Sequence, residues 1–327
     1  MNPSMLRNRR ASLSLLAGAA MVLSCGSAWA NDWPTKPIKV FVPYAAGGPV
    51  DTVTRMLMEI VSKSLVQPIV IDNKPGANTT VSTTALARSA PDGYTFGVVP
   101  AAYTTNQVLV KNLPYKPTDL VAVSHMVNIP LFMYTSAATP ASNVSEFVAW
   151  ARKKQPSYAS TGPGSTGHLL GEMFSLSANL KGVHVGYNGS AKAMPDLMAG
   201  LVDYFFDPAS GGMPQVKAGK LKVLAVTLPK RCECAPDVPT MVESGFPEIT
   251  QGSWIGMMAP AGTPKEVVER MSTEIGKAVK SPEMSARLQS MGFGPIGGTP
   301  AQFQALIDSD ISVYGAISRK ASITLDR

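Results

Sequence analysis

The sequence predicts an α/β protein made of two doubly wound lobes that are joined by two crossover strands and enclose a cleft. Strand-like and helix-like runs alternate from residue 38 to residue 226, the pattern of parallel sheets covered by helices. Two long apolar stretches, 123–135 broken by Pro130 and 253–259, interrupt that alternation where the chain would pass between lobes. The roughly 297 residues that follow an export signal exceed one ordinary hydrophobic core.

Residues 1–30 read as that signal. Arg7, Arg9 and Arg10 form a positive start, 13–23 is an apolar run too short to span a bilayer, and Ala28-Trp29-Ala30 supplies the small-x-small cleavage pattern, with Asn31 as the expected mature start. An alternative is a lipoprotein anchored through Cys25, since Val22-Leu23-Ser24-Cys25 loosely resembles a lipidation box. The Arg9-Arg10 pair hints at twin-arginine export, although the residues after it depart from the usual pattern.

Residues 31–125 form the first part of domain I, with strands at 38–42, 68–71 and 95–99, helices at 50–65 and 80–90, and a polar turn after the third strand. Domain II is expected over 126–253, with helices at 144–154, 168–179, 191–200 and 213–218 and strands at 157–160, 182–187, 202–206 and 221–226. Residues 254–327 return to domain I as helices at 264–280, 282–291 and 300–318, which are expected to cover the first lobe.

The first strand runs into Pro43-Tyr44-Ala45-Ala46-Gly47-Gly48-Pro49-Val50-Asp51. Gly47 and Gly48 let the backbone approach a bound group, and Pro49 suits the first helical position. Helix N-termini carry unsatisfied N–H groups and partial positive charge, so a carboxylate or phosphate can sit there without a cationic side chain. Asp51 would oppose an anion, and at the third helical position it is read as a cap for its own turn. Domain II repeats the device at Thr161-Gly162-Pro163-Gly164-Ser165-Thr166-Gly167-His168, at Tyr187-Asn188-Gly189-Ser190-Ala191-Lys192 and at Phe206-Asp207-Pro208-Ala209-Ser210. Each loop alone satisfies ordinary capping rules. Their recurrence at the carboxyl ends of strands, on both sides of an expected cleft, favours a ligand site.

Other chemistries lack their residues. Removing the signal takes three arginines and no acid, so the net charge falls from +7 to +4, and the remaining Lys and Arg form no aromatic-interleaved cluster for nucleic acid. A nucleophile elbow at Ser165 would need glycine at Pro163, and Gly219-Lys220 is followed by Leu221 rather than Ser or Thr. His125, His168 and His184 show no metal-ligand spacing. Beyond the signal only Cys232 and Cys234 remain. A disulfide across one intervening residue is strained and zinc needs a second ligand pair, so two incidental thiols in a surface loop are expected. No metal, cofactor or catalytic residue is expected.

A collinear series of phrases carries a family resemblance: Trp33-Pro34-Thr35-Lys36-Pro37-Ile38, the Tyr44 to Asp51 turn, Asn73-Lys74-Pro75-Gly76-Ala77, Ala90-Pro91-Asp92-Gly93-Tyr94-Thr95, Tyr158-Ala159-Ser160-Thr161-Gly162, Lys217-Ala218-Gly219-Lys220-Leu221 and Ala259-Pro260-Ala261-Gly262-Thr263-Pro264. The chain resembles the Bug-type periplasmic receptors of tripartite tricarboxylate transporters over nearly its whole mature length. The resemblance implies a monomeric, non-enzymatic, two-lobed periplasmic binding protein (a Venus flytrap) that closes on a carboxylate and presents it to membrane permease subunits. It points to Tyr44, Ala46, Gly47 and Gly48 in the first lobe, and to Thr161, Ser165, Thr166, His168, Tyr187, Gly189, Ser190 and Asp207 in the second. Alternatives are an exported hydrolase using Ser165 and His168, and a ligand-sensing receptor that signals to a membrane partner.

Departures from the family pattern bear on specificity. Gly76-Ala77-Asn78-Thr79-Thr80 stands where relatives have Gly-Ala-Gly-Gly, in a loop that borders the expected cleft, and Tyr187-Asn188-Gly189 replaces Tyr-Lys-Gly and removes a cation. No Arg lies in the expected loops; the nearest cations are Arg55 and Lys192. Recognition by amides, hydroxyls and waters suits a mono- or dicarboxylate better than a triply charged acid. Aromatic acids are included because Tyr44, Tyr103, Tyr187 and Trp254 are expected near the cleft.

Overall fold

The structure, a computed structural model, describes residues 33–325. The expected export signal, its cleavage site and Cys25 lie outside them. Strands β1 (Ile38–Val42), β2 (Ile69–Asn73) and β3 (Thr95–Pro100) alternate with α1 (Pro49–Leu65) and α2 (Thr80–Ala87). β1 lies between β2 and β3 and runs parallel to both, so the winding direction reverses beside it. Helix α3 (Ala102–Leu109) follows where the sequence suggested a polar turn. Thr104 and Thr105 read as loop residues, but their hydroxyls donate back to the carbonyls of Ala101 and Ala102 within the helix.

Strand β4 (Leu120–Ile129) completes the outward path, and only Pro130 separates it from β5 (Leu131–Ser136) in the second sheet. That sheet is built from α4 (Val144–Ala151), β6 (Ser157–Ser160), α5 (Thr166–Ser177), β7 (Val183–Gly186), α6 (Ser190–Met198), β8 (Tyr204–Pro208), α7 (Ala209–Lys217) and β9 (Leu221–Val226). Its order is β7-β6-β8-β5-β9, with β6 parallel to β7 and β8. Strand β10 (Ser253–Pro260) then returns between β3 and β4, antiparallel to both. The two sheets thus share one plan: a three-stranded parallel unit with its reversal at the middle strand, flanked by an antiparallel strand that arrives from the other sheet. Ligands of doubly wound sheets bind at such reversals.

The remaining elements are α8 (Lys265–Lys280), α9 (Pro282–Ser290), the short β11 (Gly294–Pro295) and α10 (Pro300–Ala321). Val267, Val268, Met271, Ile275, Ala278 and Val279 form one face of α8 at helical spacing, packed with Val53, Leu57 and Val61 of α1 over the first sheet. Helix α10 departs from the expected return to the first lobe. Its Phe303 and Ile307 pack with Trp254, but Tyr314 and Ile317 join the second sheet's core with Leu169 and Phe174. At 22 residues the helix is about 33 Å long, enough to reach across both sheets.

A second correction concerns the cysteines. Cys232 and Cys234 form a disulfide rather than two free thiols, because the chain folds back at Glu233 and brings their Cα atoms to 5.1 Å, within ordinary bridging range.

Candidate functional site

In the first lobe, Gly48 caps α1 with extended backbone and Pro49 occupies the opening position. Gly47 sits at φ +83°, which only glycine adopts at no cost. Asp51 is 1% exposed and draws three donors together: Gly47 N–H at 2.8 Å, Asn73 Nδ2 at 2.8 Å and Arg55 Nε at 2.9 Å. Asn73 Nδ2 also donates to the Tyr44 carbonyl at 2.9 Å. The Arg55 bond leads in holding the Asp51 carboxyl down at about 2, aided by Asn73 and Gly47 and opposed by burial. The turn is therefore fixed from within, as its cap reading implied. The Gly47 amide is spent on Asp51, so it is not one of the free donors expected for a ligand. Tyr44 and Ala46 are exposed and Gly48 is partly so.

The second-lobe loops are laced into one surface. Tyr187 N–H donates to the Ser160 carbonyl at 3.0 Å and Gly189 N–H to the Thr161 carbonyl at 3.3 Å, which joins the ends of β6 and β7. Ser190 Oγ donates to Asp207 Oδ1 at 2.5 Å, which joins the start of α6 to the end of β8. Thr161 is exposed, Ser165, Tyr187, Gly189 and Ser190 are half-buried, and Thr166 is buried. Asp207 is fully buried beneath this surface rather than on it, and burial pushes its carboxyl up to about 7 against the opposing Ser190 bond. Its second oxygen has no partner among the described residues. Among them, too, no hydrogen bond joins the Tyr44–Gly48 turn to the second-lobe loops.

Ser165 and His168 do not form a nucleophile and base. Ser165 Oγ caps α5 by accepting from His168 N–H at 3.3 Å, while His168 Nδ1 accepts from Gly164 N–H at 3.1 Å. The His168 ring stacks on His184 at 3.7 Å between centroids, and burial, with His184 second, lowers its pKa to about 4. A neutral imidazole pinned to a backbone amide serves as a loop brace. Ser165→Ala is expected to destabilise the protein by about 1 kcal/mol through loss of the cap, which urea denaturation would measure; a loss above about 3 kcal/mol would assign the hydroxyl a larger role.

Two of the four expected cleft aromatics belong to the core. Tyr103 is 2% exposed and stacks on Tyr115, and Trp254 is 1% exposed with its indole N–H donated to Asp310 at 2.7 Å. Tyr187 donates its hydroxyl to Asp196 at 2.7 Å, which leaves Tyr44 as the exposed ring. Residues that were not singled out lie across the facing edge. Helix α3 carries buried Asn106, and one turn later Leu109 approaches Gly164 of the second lobe so closely that a Cβ there would lie 3.3 Å from its Cδ1. The sequence signal for that edge was the Asn78-Thr79 departure, whose partner Asn106 lay in the missed helix.

The profile described as tripartite tricarboxylate transporter family receptor matches residues 53–323. The chain belongs to this receptor family. A UPF0065 protein of Bordetella bronchiseptica is 35% identical over 88% of this chain and 85% of its own length. BugT of Bordetella pertussis is 31% identical over 90% of this chain and 92% of its own. Among solved structures, the periplasmic binding protein BugD matches 90% of this receptor and all of its own chain at 32% identity and a TM-score of 0.74. Rpa4515 of R. palustris, solved with adipate, covers 90% of this chain and 100% of its own at 29% identity and a TM-score of 0.78. MatC of Rhodopseudomonas palustris, solved with malate, covers 87% and 99% at 29% identity and 0.72. These relatives share the two-lobed α/β fold and are solute-binding receptors rather than enzymes.

Proposed function

We propose that this receptor is exported to the periplasm, captures a small mono- or dicarboxylate, aromatic acids included, between its lobes, and delivers it to the permease subunits of a tripartite tricarboxylate-type transporter. The lobes of this reading are residues 31–125 with 254–327, whose last helix also packs on the second lobe, and residues 126–253, acting in a monomer. The observation that carries it is the placement of strand-to-helix turns at the winding reversals of both sheets, beside β1 and beside β6. Both turns offer backbone and hydroxyl groups rather than charged ones. Arg55, the cation nearest the first turn, is already engaged with Asp51 and Asn73. Relatives solved with adipate and malate lend the carboxylate class. In the receptor cycle, the 44–48 turn, its Gly47 amide held by Asp51, and groups of Thr161, Ser165, Thr166, Tyr187, Gly189 and Ser190 grip the carboxylate, with His168 and Asp207 holding those loops from beneath.

Native mass spectrometry of gently purified protein, then thermal shifts with a carboxylate panel after unfolding and refolding, tests the reading. A ligand at a hundred times its Kd is expected to add about 2.7 kcal/mol of stability. If no acid raises the Tm of the refolded protein, the receptor reading fails. Gly48→Val sharpens the test. Gly48 is extended at φ −72°, a conformation open to L-residues, and a Cβ there would lie 3.4 Å from the Ala45 carbonyl oxygen; the Tm of the variant checks that the fold is kept. Affinity is expected to fall at least about tenfold because the ligand loses close approach to the backbone; unchanged affinity in calorimetry would remove Gly48 from the site.

A further inference from the structure

The turn between β2 and α2 has an unusual backbone. Gly76, Ala77, Asn78 and Thr79 hold φ of +131°, +46°, +48° and +74° in succession. Left-handed backbone costs an L-residue roughly 1–2 kcal/mol, and asparagine alone of these three non-glycine residues visits it readily. Part of the offset is visible. Asn78 Nδ2 donates to Asn106 Oδ1 at 2.8 Å, and Asn106 Nδ2 donates to the Asn78 carbonyl at 2.7 Å. Thr79 has no such compensation at its side chain. It is 2% exposed, and its Oγ1 has no partner among the described residues. A buried hydroxyl left unpaired costs about 1–3 kcal/mol. Local backbone strain of this kind clusters at ligand clamps and other functional sites.

The location fits. Asn73, at the end of the strand that leads into this turn, holds Tyr44 and Asp51 of the first-lobe site. Asn106, to which the turn is tied, lies one helical turn before Leu109, the residue that approaches Gly164 of the facing lobe. Residues 76–87 and 102–109 contain no charged side chain. A second carboxylate would find no cation here and an ammonium no acid. With Asn78 Nδ2 spent on Asn106, its Oδ1 remains to accept, and the Thr79 hydroxyl can donate or accept.

We propose that Asn78 and Thr79 form the specificity wall for the end of the solute remote from its carboxylate, and that this end bears an uncharged hydroxyl. The inference rests on the receptor reading above and names its substrate class, a hydroxylated carboxylic acid. A solute lacking the hydroxyl leaves Thr79 buried and unpaired, which discriminates against it.

The test is calorimetric titration of the refolded mature protein with two matched pairs, 4-hydroxybenzoate against benzoate and 4-hydroxybutyrate against butyrate, alongside the double variant Asn78→Gly, Thr79→Gly. Glycine accepts the left-handed backbone, and that relief offsets the lost Asn78–Asn106 side-chain bond, so the variant is expected to fold. The native protein is expected to prefer the hydroxylated member of at least one pair about tenfold or more, and the variant's preference to fall within about twofold. Equal binding of both members by the native protein overturns the wall, as does a preference that survives in the variant whatever its Tm. Binding of other carboxylates with none of the four acids bound removes the wall alone. Absence of binding across the whole carboxylate panel removes the receptor reading with it.

Discussion

Asp51→Ala is expected to lower stability by about 2–3 kcal/mol and to abolish high-affinity binding, because one buried carboxylate organises the whole first-lobe turn. Its removal leaves the Gly47 amide, Asn73 Nδ2 and Arg55 Nε without their shared acceptor. The pH dependence follows from the lowered pKa. A carboxyl that titrates near 2 in the fold and near 3.8 unfolded contributes stability above pH 4 that is lost as pH falls from about 4 through about 2. Circular dichroism melts across that range are expected to show a steeper acid loss for the native protein than for Asp51→Asn. Parallel acid profiles would mean that Arg55 and Asn73 hold the turn without the charge.

Asp207→Asn is expected to do the opposite and stabilise the protein at pH 8. Burial holds the Asp207 carboxyl near 7 in the fold against 3.8 unfolded, so the folded state binds the extra proton between those values. Stability from this group is complete below about pH 4 and is lost as pH rises through about 7. The loss is on the order of 4 kcal/mol by linkage. Asparagine can still accept from Ser190 and carries no charge to desolvate. Scanning calorimetry from pH 5 to 8 is expected to show a falling Tm for the native protein and a flatter profile for the variant; a variant that falls equally would place the titrating group elsewhere. Measuring binding in the same variant separates the two roles open to Asp207. A carboxylate that only braces Ser190 permits binding when replaced by its isostere, whereas one that meets the solute does not.

The two sites show why some residues were legible in the sequence and others were not. The 44–51 turn is a local device: strand, glycines, Pro49 and Asp51 follow one another, and both the helix start and its cap can be read from adjacent residues. Asp207 looked like a loop residue of the same kind. Its burial depends on α6 and α7 closing over β8, a packing event among segments that sequence spacing does not order. Helix α3 went unread for a related reason, since Thr104, Thr105 and Asn106 have the composition of a turn, their hydroxyl back-bonds occur in helices and turns alike, and the bond of Asn106 to Asn78 forms only in the assembled lobe.

By itself the sequence determined the alternation of strands and helices, the two crossings, the glycine-bearing strand-to-helix turns and the family, because periodicity, glycine and proline placement, and capping act over a few residues. Only the tertiary structure decided that Tyr103 and Trp254 belong to the core, that Cys232 and Cys234 pair, that the last helix spans both sheets, and that Asn78 is tied to Asn106 beside a Thr79 hydroxyl with no partner among the described residues. Those outcomes depend on contacts between distant segments, where burial and approach distance, not local spacing, set the energy of each group.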